Sequence, residues 1–386
     1  MLCESANAAN FNMSSAAASS GPTVLVAPLD WGLGHATRCI PIIQQLLTRG
    51  CSVVLGGSGA SGRLLRATFP DLACHELPHH SVHYAKTGAG LLWKIVQQLP
   101  QLRKSVAAEK QWLTTFLKSG SLDAVISDNR YGLFNAAIPS IFVTHQLEIR
   151  APFGAPGRWL LRRLHYRMIE RFSACWVPDA AGRGLAGALA HPMQLPAVPT
   201  RYIGPLSRFA QREDLPGNTV KKWRLVVLLS GPEPQRSIWE AELLPQLAEV
   251  AAPVLLLRGL PGATEGVAAP PNVSVLPHLA THELARELDD ASFLLARSGY
   301  STVMDVAALR VRSILVPTPG QPEQEYLAQQ LTKNAFAPSY AQSGFNLATA
   351  LAAAENFAYQ FPPASGSNQL DAAIDELIAR ISRTDA

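Results

Sequence analysis

Residues 291–326 read ASFLLARSGYSTVMDVAALRVRSILVPTPGQPEQEY. The run opens with a short apolar stretch, 291–296, of the length and texture of a buried strand. Arg297, Ser298 and Gly299 interrupt it, and apolar residues then recur at helical spacing over 301–308. A second apolar run, 313–316, leads into a Pro/Gly loop and a further helix over 323–331. Strand, Ser-Gly turn, helix and strand make one βαβ unit of a parallel sheet. Ser298 and Gly299 open a helix whose first amides have no partner within it and can hold a diphosphate. Asp305 lies about two turns in, where a carboxylate can accept from two ribose hydroxyls. Gln324 and Glu325, beyond the next strand, can read sugar hydroxyls.

Outward from this unit the same alternation repeats. Upstream, strands at 225–229, 253–257 and 273–275 alternate with helices at 238–248 and 281–288. In the N-terminal half, strands at 24–27, 52–55, 124–127 and 140–144 go with helices at 39–49 and 63–68 and a long one over 91–118, broken at Pro100. A polar stretch with Pro216, Gly217 and Asn218 separates the halves. The predicted organisation is a disordered tail at 1–21, an N-terminal Rossmann-like domain at 22–207 and a linker at 208–222. A C-terminal Rossmann-like domain follows at 223–365, then a helical segment at 366–386 that can pack back on the first domain. The fold class is α/β, two Rossmann-like domains whose ligand-binding strand ends face each other across a cleft.

In the first domain, Asp30-Trp31-Gly32-Leu33-Gly34-His35 joins the first strand to a helix. Glycines there allow a tight turn and close approach of a ligand, and His35 can exchange protons near neutral pH. Asp128, ending a later strand beside Asn129, either orients His35 as a base–orienter pair or caps a helix. His145 ends the next strand. Gly57–Gly62 matches GxGxxG formally but follows the second strand and lacks the acidic ribose partner, so a turn or acceptor-facing loop is the better reading. His75, His79, His80 and His83 have no Cys or Asp beside them and read as loop rather than as metal ligands.

The 386 residues are 48% hydrophobic and 16% charged with a formal charge of +4, which excludes a disordered chain or a nucleic-acid-coating protein. Five cysteines without a CxxC pair argue for a reducing compartment. No bilayer-length apolar run and no signal-peptide pattern is found, so a cytoplasmic location is expected. Residues 91–104 mix Trp93 and aliphatics with bases, suiting either a core-facing helix or peripheral contact with the inner face of the plasma membrane.

Together these motifs resemble the glycosyltransferase family 28 group and, more loosely, the UDP-glycosyltransferases of GT-B fold. The likeness is close over 298–326 and weaker in the glycine-rich loop with His35 and Pro41. It implies Ser298, Gly299 and Tyr300 at the diphosphate, Asp305 on the ribose, and Gln324 with Glu325 near the donor sugar. Leu276 would meet the uracil through its backbone, and Ser230, Gly231 and Arg208 fall at other donor-contacting elements. His35 would face the acceptor hydroxyl; the residues themselves, beside that likeness, put Gly32, Gly34, Asn129 and His145 on the acceptor side and make His35 with Asp128 the candidate catalytic pair. This chain has Asp305 where the family's cell-wall enzyme has Glu, and Glu325 where it has a second Gln.

The expected activity is transfer of a hexose or N-acetylhexosamine from a UDP-sugar, the co-substrate, to an acceptor hydroxyl. Inversion is expected, without a metal or other cofactor, since no DxD motif marks a metal–diphosphate site. The family implies a lipid-linked or cell-envelope glycan precursor as acceptor; nucleic acid is not an expected partner. Alternatives are a catalytically silent nucleotide-sugar-binding protein on a GT-B scaffold, or a UDP-sugar 2-epimerase. The reading makes one structural demand: the Asp305 carboxylate should face the cleft and not be consumed in an ion pair.

Overall fold

The structure is a computed structural model that describes residues 21–78, 91–149, 154–182, 184–210, 221–263, 266–363 and 368–384. The tail up to residue 20, His79, His80, His83 and residues 211–220 of the linker lie outside the described residues, as do the side chains of 91–99.

The first domain runs β1 (Thr23–Pro28), α1 (Leu33–Thr48), β2 (Ser52–Gly56), α2 (Gly59–Thr68), β3 (Cys74–His75), α3 (Leu91–Ser119), β4 (Ala124–Asp128), β5 (Ser140–Val143), α4 (Ala155–Ile169), β6 (Ala174–Val177) and β7 (Thr200–Tyr202). Its seven strands are parallel in the order β3-β2-β1-β4-β5-β6-β7. The second runs β8 (Trp223–Leu228), α5 (Gln235–Ala248), β9 (Val254–Leu257), β10 (Val273–Leu276), α6 (Thr281–Asp289), β11 (Ala291–Ala296), α7 (Tyr300–Leu309), β12 (Ser313–Leu315), α8 (Pro322–Lys333) and α9 (Leu347–Glu355). Its sheet, also parallel, has the order β10-β9-β8-β11-β12. Sheets covered on both faces need strands that are apolar on both sides, and Val24–Ala27 and Val254–Leu257 are buried throughout.

Helix α10 (Asn368–Thr384) lies against the first domain. Leu370, Ala373, Ile374 and Leu377 join the apolar cluster of Ile42 and Leu46 on α1. Arg49 Nε meets Asp375 at 2.5 Å, and Arg201 pairs with Glu376. A second cluster spans both domains, with Phe142 and Val177 on one side and Leu255 and Met304 on the other.

The break predicted at Pro100 does not occur: α3 runs through it. A proline costs one backbone hydrogen bond and some crowding, which packing of a long helix can offset; Leu113 and Phe116 bury that packing face. Helix α4, β6 and α9 are not anticipated by periodicity. In α4 the outer face mixes Trp159, Leu160 and Leu164 with arginines, so polar and apolar positions do not separate into two faces.

Candidate active site at the facing strand ends

Strands β1 and β4 pair with Pro28 opposite Asp128, so Asp128 and the β1–α1 loop share one edge of the sheet. Gly32, at φ +85, turns that loop into α1 in a conformation that side chains resist, and His35 falls in the first turn of the helix. Its Nδ1 lies 3.2 Å from Asp128 Oδ2. Arg38, one turn on, enters the same cluster. Its Nε donates to Asp128 Oδ2 at 2.7 Å and its Nη2 donates to Oδ1. The same Nη2 is 2.6 Å from His35 Nδ1, and Nη1 is 2.9 Å from His145 Nδ1. His145 Nε2 in turn meets Glu323 Oε1, on α8, at 2.9 Å, and Gln146 donates to the other oxygen of Glu323. A chain of polar contacts therefore joins Asp128 in one domain to Glu323 in the other.

Protonation follows from what each partner can do. A guanidinium only donates, so His145 Nδ1 accepts from Arg38 and its Nε2–H donates to Glu323. His35 Nδ1 lies between donor-only Arg38 and acceptor-only Asp128; the shorter contact, to Arg38, places the neutral ring's proton on Nε2. Burial, then Arg38, lowers the His35 pKa against the opposing pull of Asp128. Burial alone would raise Asp128, but Arg38 and His35 outweigh it and hold its carboxyl at about 2. Burial likewise opposes ionisation of Glu323, and His145 and Arg38 overcome it, so its pKa is lowered.

Helix α7 points its first turn at this cluster. Ser301 Oγ donates to the Gly34 carbonyl at 2.8 Å, and the Tyr300 ring stacks on His145 with centroids 4.0 Å apart. The Tyr300 hydroxyl is buried and has no hydrogen-bond partner among the described residues. The N-termini of α1 and α7 thus meet across the cleft. Two positive helix ends brought together favour anionic groups between them, and Asp128 and Glu323 occupy that region.

Residues 266–377 match the model of the glycosyltransferase family 28 C-terminal domain. An uncharacterized glycosyltransferase of Methanosarcina acetivorans is 25% identical over 315 residues, 76% of this chain and 79% of its own length. The glycotransferase of kitacinnamycin superposes with a TM-score of 0.59 at 16% identity, covering 95% of this chain and 98% of its own. MurG of Acinetobacter baumannii gives 0.50 at 14%, covering 94% and 95%. The chain has the GT-B glycosyltransferase fold, and its second half is similar to family 28.

Within this glycosyltransferase the demand placed on Asp305 is not met. Its carboxylate is 8% exposed, with Oδ1 accepting from Ser207 Oγ at 2.7 Å and Oδ2 from Arg208 Nε at 3.1 Å. Asp305, expected on the ribose, and Arg208, expected at another donor-contacting element, satisfy one another, because a carboxylate suited to hydroxyl donors suits a guanidinium better. Ser298 Oγ, expected on the diphosphate, donates instead to the Gln324 carbonyl at 2.8 Å. The Gln324 side chain accepts from the Thr318 amide at 2.9 Å and donates to Gln321 at 2.7 Å, while Glu325 accepts from Gly320 N–H at 3.1 Å. These side chains brace the β12–α8 loop. Gly299 caps α7. Leu276 ends β10 with an exposed side chain and a carbonyl that accepts from Arg258 N–H at 3.0 Å. Ser230 and Gly231, the latter at φ +103, follow β8. Asn129 adopts φ +56 after β4, a conformation asparagine tolerates, and caps no helix.

The GxGxxG stretch is a tight turn into α2. Its helix end faces Asp30, which accepts from Ser58 Oγ at 3.2 Å, and a side chain at Gly59 would run into that carboxylate. Sequence reasoning misses Arg38 and the role of Glu323. Arg38 sits one turn after His35, a spacing that places both on one helix face, and that was the available signal.

His165, on the inner face of α4, supports the site from below. Its Nε2–H donates to the Gln146 carbonyl at 2.9 Å, so Nδ1 accepts from Tyr131 O–H at 2.9 Å. Burial lowers its pKa from 6.5 to about 4. The unfolded chain therefore binds a proton here at pH values where the folded chain does not. The associated stability is complete above about 6.5 and is lost as pH falls towards 4, at about 1.4 kcal/mol per unit from this group. Denaturant midpoints across that window should fall steeply for the wild type and less steeply for H165Q; equal slopes would refute the assignment.

Proposed function

We propose that this glycosyltransferase moves a hexose or N-acetylhexosamine from a UDP-sugar to an acceptor hydroxyl with inversion at the anomeric carbon. The observation that carries the reading is the meeting of the α1 and α7 first turns, with His35 and Asp128 on one side and the Tyr300–Ser301 helix end on the other. His35 takes the acceptor proton on Nε2, the acceptor oxygen bonds to the anomeric carbon, and the bond from that carbon to the UDP oxygen breaks on the opposite face. For this the ring carries its remaining proton on Nδ1, donated to Asp128, so Arg38 withdraws from Nδ1 before each turnover. The departing diphosphate is neutralised by the α7 amides and by Arg208 once released from Asp305, rather than by a divalent ion. Asp305, released in the same exchange, receives the ribose.

A thermal-shift screen tests donor choice. UDP-glucose or UDP-N-acetylglucosamine should raise the melting temperature more than dTDP- or GDP-sugars do. D305A and R208A should abolish that rise as well as lower the baseline. A baseline drop with the ligand rise intact leaves the pair a purely structural one, and no rise with any UDP-sugar overturns the donor assignment. One observation favours a catalytically silent binding protein, namely the hold of Arg38 on His35 Nδ1. Donor-induced stabilisation without UDP release in any acceptor mixture would support it.

A further inference from the structure

Tyr300 opens α7 and is 3% exposed. Its ring lies flat on His145 of the first domain, with centroids 4.0 Å apart and planes 15° from parallel, so packing across the cleft fixes where the side chain points. The hydroxyl at the end of that ring has no hydrogen-bond partner among the described residues. An unpaired buried hydroxyl costs stability that phenylalanine in the same place would not. Such an orphan inside a site calls for a partner that arrives at another stage of the work. Burial, then Asp179, holds the phenol well above its usual range; Arg38 opposes them, and Asp128 and Glu323 add to them. Burial opposes the charge on Arg38, Asp128 more than makes up for it, and Tyr300 adds to Asp128. Guanidinium and hydroxyl therefore lie within each other's field.

Arg38 is the group with a hydrogen to place. Its Nη2 donates to Asp128 Oδ1 and also meets His35 Nδ1 at 2.6 Å. Its Nη1 donates to His145 Nδ1 at 2.9 Å, on the ring that Tyr300 covers, and its Nε donates to Asp128 Oδ2 at 2.7 Å. A base that gives its own Nδ1–H to Asp128 needs the Nη2 hydrogen gone from Nδ1. A buried guanidinium hydrogen taken from one acceptor must find another. His145 Nδ1 is already engaged by Nη1. The Tyr300 oxygen, beside the same imidazole, has its lone pairs open.

We propose that Tyr300 is a positioning residue whose hydroxyl oxygen receives the Arg38 Nη2–H that leaves His35, so that His35 Nδ1 can carry a proton towards Asp128. No heavy-atom bond changes in the exchange. His35, whose side chain is 16% exposed, gives its Nε2 proton to solvent and takes one from solvent at Nδ1. Tyr300 keeps its own proton, and Arg38 Nε stays on Asp128. Tyr300 belongs to the second domain, and Ser301 Oγ ties the same turn to the Gly34 carbonyl at 2.8 Å. The base on one domain thus reaches its working tautomer only while α7 of the other is seated against it. The inference rests on the reading of His35 as the base.

The test is the pKa of His35, followed by imidazole nitrogen and carbon NMR shifts of the full chain without ligand, in wild type, Y300F, R38M and R38M/Y300F. Protonation of Nδ1 expels Arg38 as the tautomer change does, so Y300F should lower the His35 pKa by about one unit, or about tenfold in proton affinity. The groups facing His35, Arg38 and Tyr300 are Asp128, His145, Asp179, Glu323 and Cys39, and Y300F alters none of them. With Arg38 gone there is no hydrogen to place, so Y300F should leave the pKa of R38M where it is. Melting of Y300F should be unchanged or raised, since an orphan is removed. An unshifted His35 in Y300F would overturn the proposal. An equal shift in the R38M background would do so too, because the hydroxyl would then act without Arg38, and a lower melting temperature would give it a partner in the resting protein. The expected shift together with full turnover in H35A would keep the exchange and remove only the base reading, so the two fail separately.

Discussion

Replacing His35 with alanine should lower UDP release in the presence of acceptor by roughly 10²–10⁴-fold, with donor-induced stabilisation unchanged. The expectation rests on geometry: His35 sits where the N-terminus of α1 meets that of α7, 3.2 Å from the Asp128 carboxylate that can orient it. The pH profile gives a sharper test. Burial and Arg38 both lower the His35 pKa, so the acid limb of the rate profile should lie below 6.5. Removing Arg38 in R38M deletes a lowering influence and leaves Asp128 to raise the pKa, so the limb should move to higher pH. Turnover unaffected by H35A, or a limb that R38M leaves in place, would remove His35 from the role of base.

The second large effect is on stability. Asp128→Ala leaves the Arg38 guanidinium, with its side chain 2% exposed, without its carboxylate, and loss of one partner of a buried ion pair costs about 3–5 kcal/mol. Chemical denaturation should show this as a lower midpoint with an unchanged slope. Asp128→Asn keeps an acceptor for Arg38 and should cost less. Because the folded carboxyl titrates at about 2 against an ordinary 3.8, its stabilisation is present above about 3.8 and fades as pH falls through 2. The D128A deficit should therefore persist from neutral pH down to about 4 and narrow only in stronger acid. A deficit below about 1 kcal/mol at neutral pH would mean that His145 and solvent can hold Arg38 unaided.

Several features of the site were legible in advance because they are local. A strand ending in Arg297, a Ser-Gly turn and an apolar helix announce α7, and Gly32 before His35 announces the start of α1. Short range also explains what was misjudged. The periodicity of α4 is blurred by apolar residues that face outward, so that helix was not read at all. The proline at 100 predicted a break because its local cost is known and its tertiary compensation is not.

The sequence by itself determined two parallel, helix-flanked sheets, the helix ends at their facing edges, and the family 28 likeness of the second half. Periodicity and turn chemistry act within a few residues and survive without knowledge of the rest of the chain. Only the tertiary structure decided which charges are partners. Asp305 closes with Ser207 and Arg208 almost a hundred residues away, and His145 finds Glu323 across 178. Buried ionic and polar groups must be satisfied by whatever the fold brings within about 3 Å, and that choice belongs to the packed chain, not to any stretch of it.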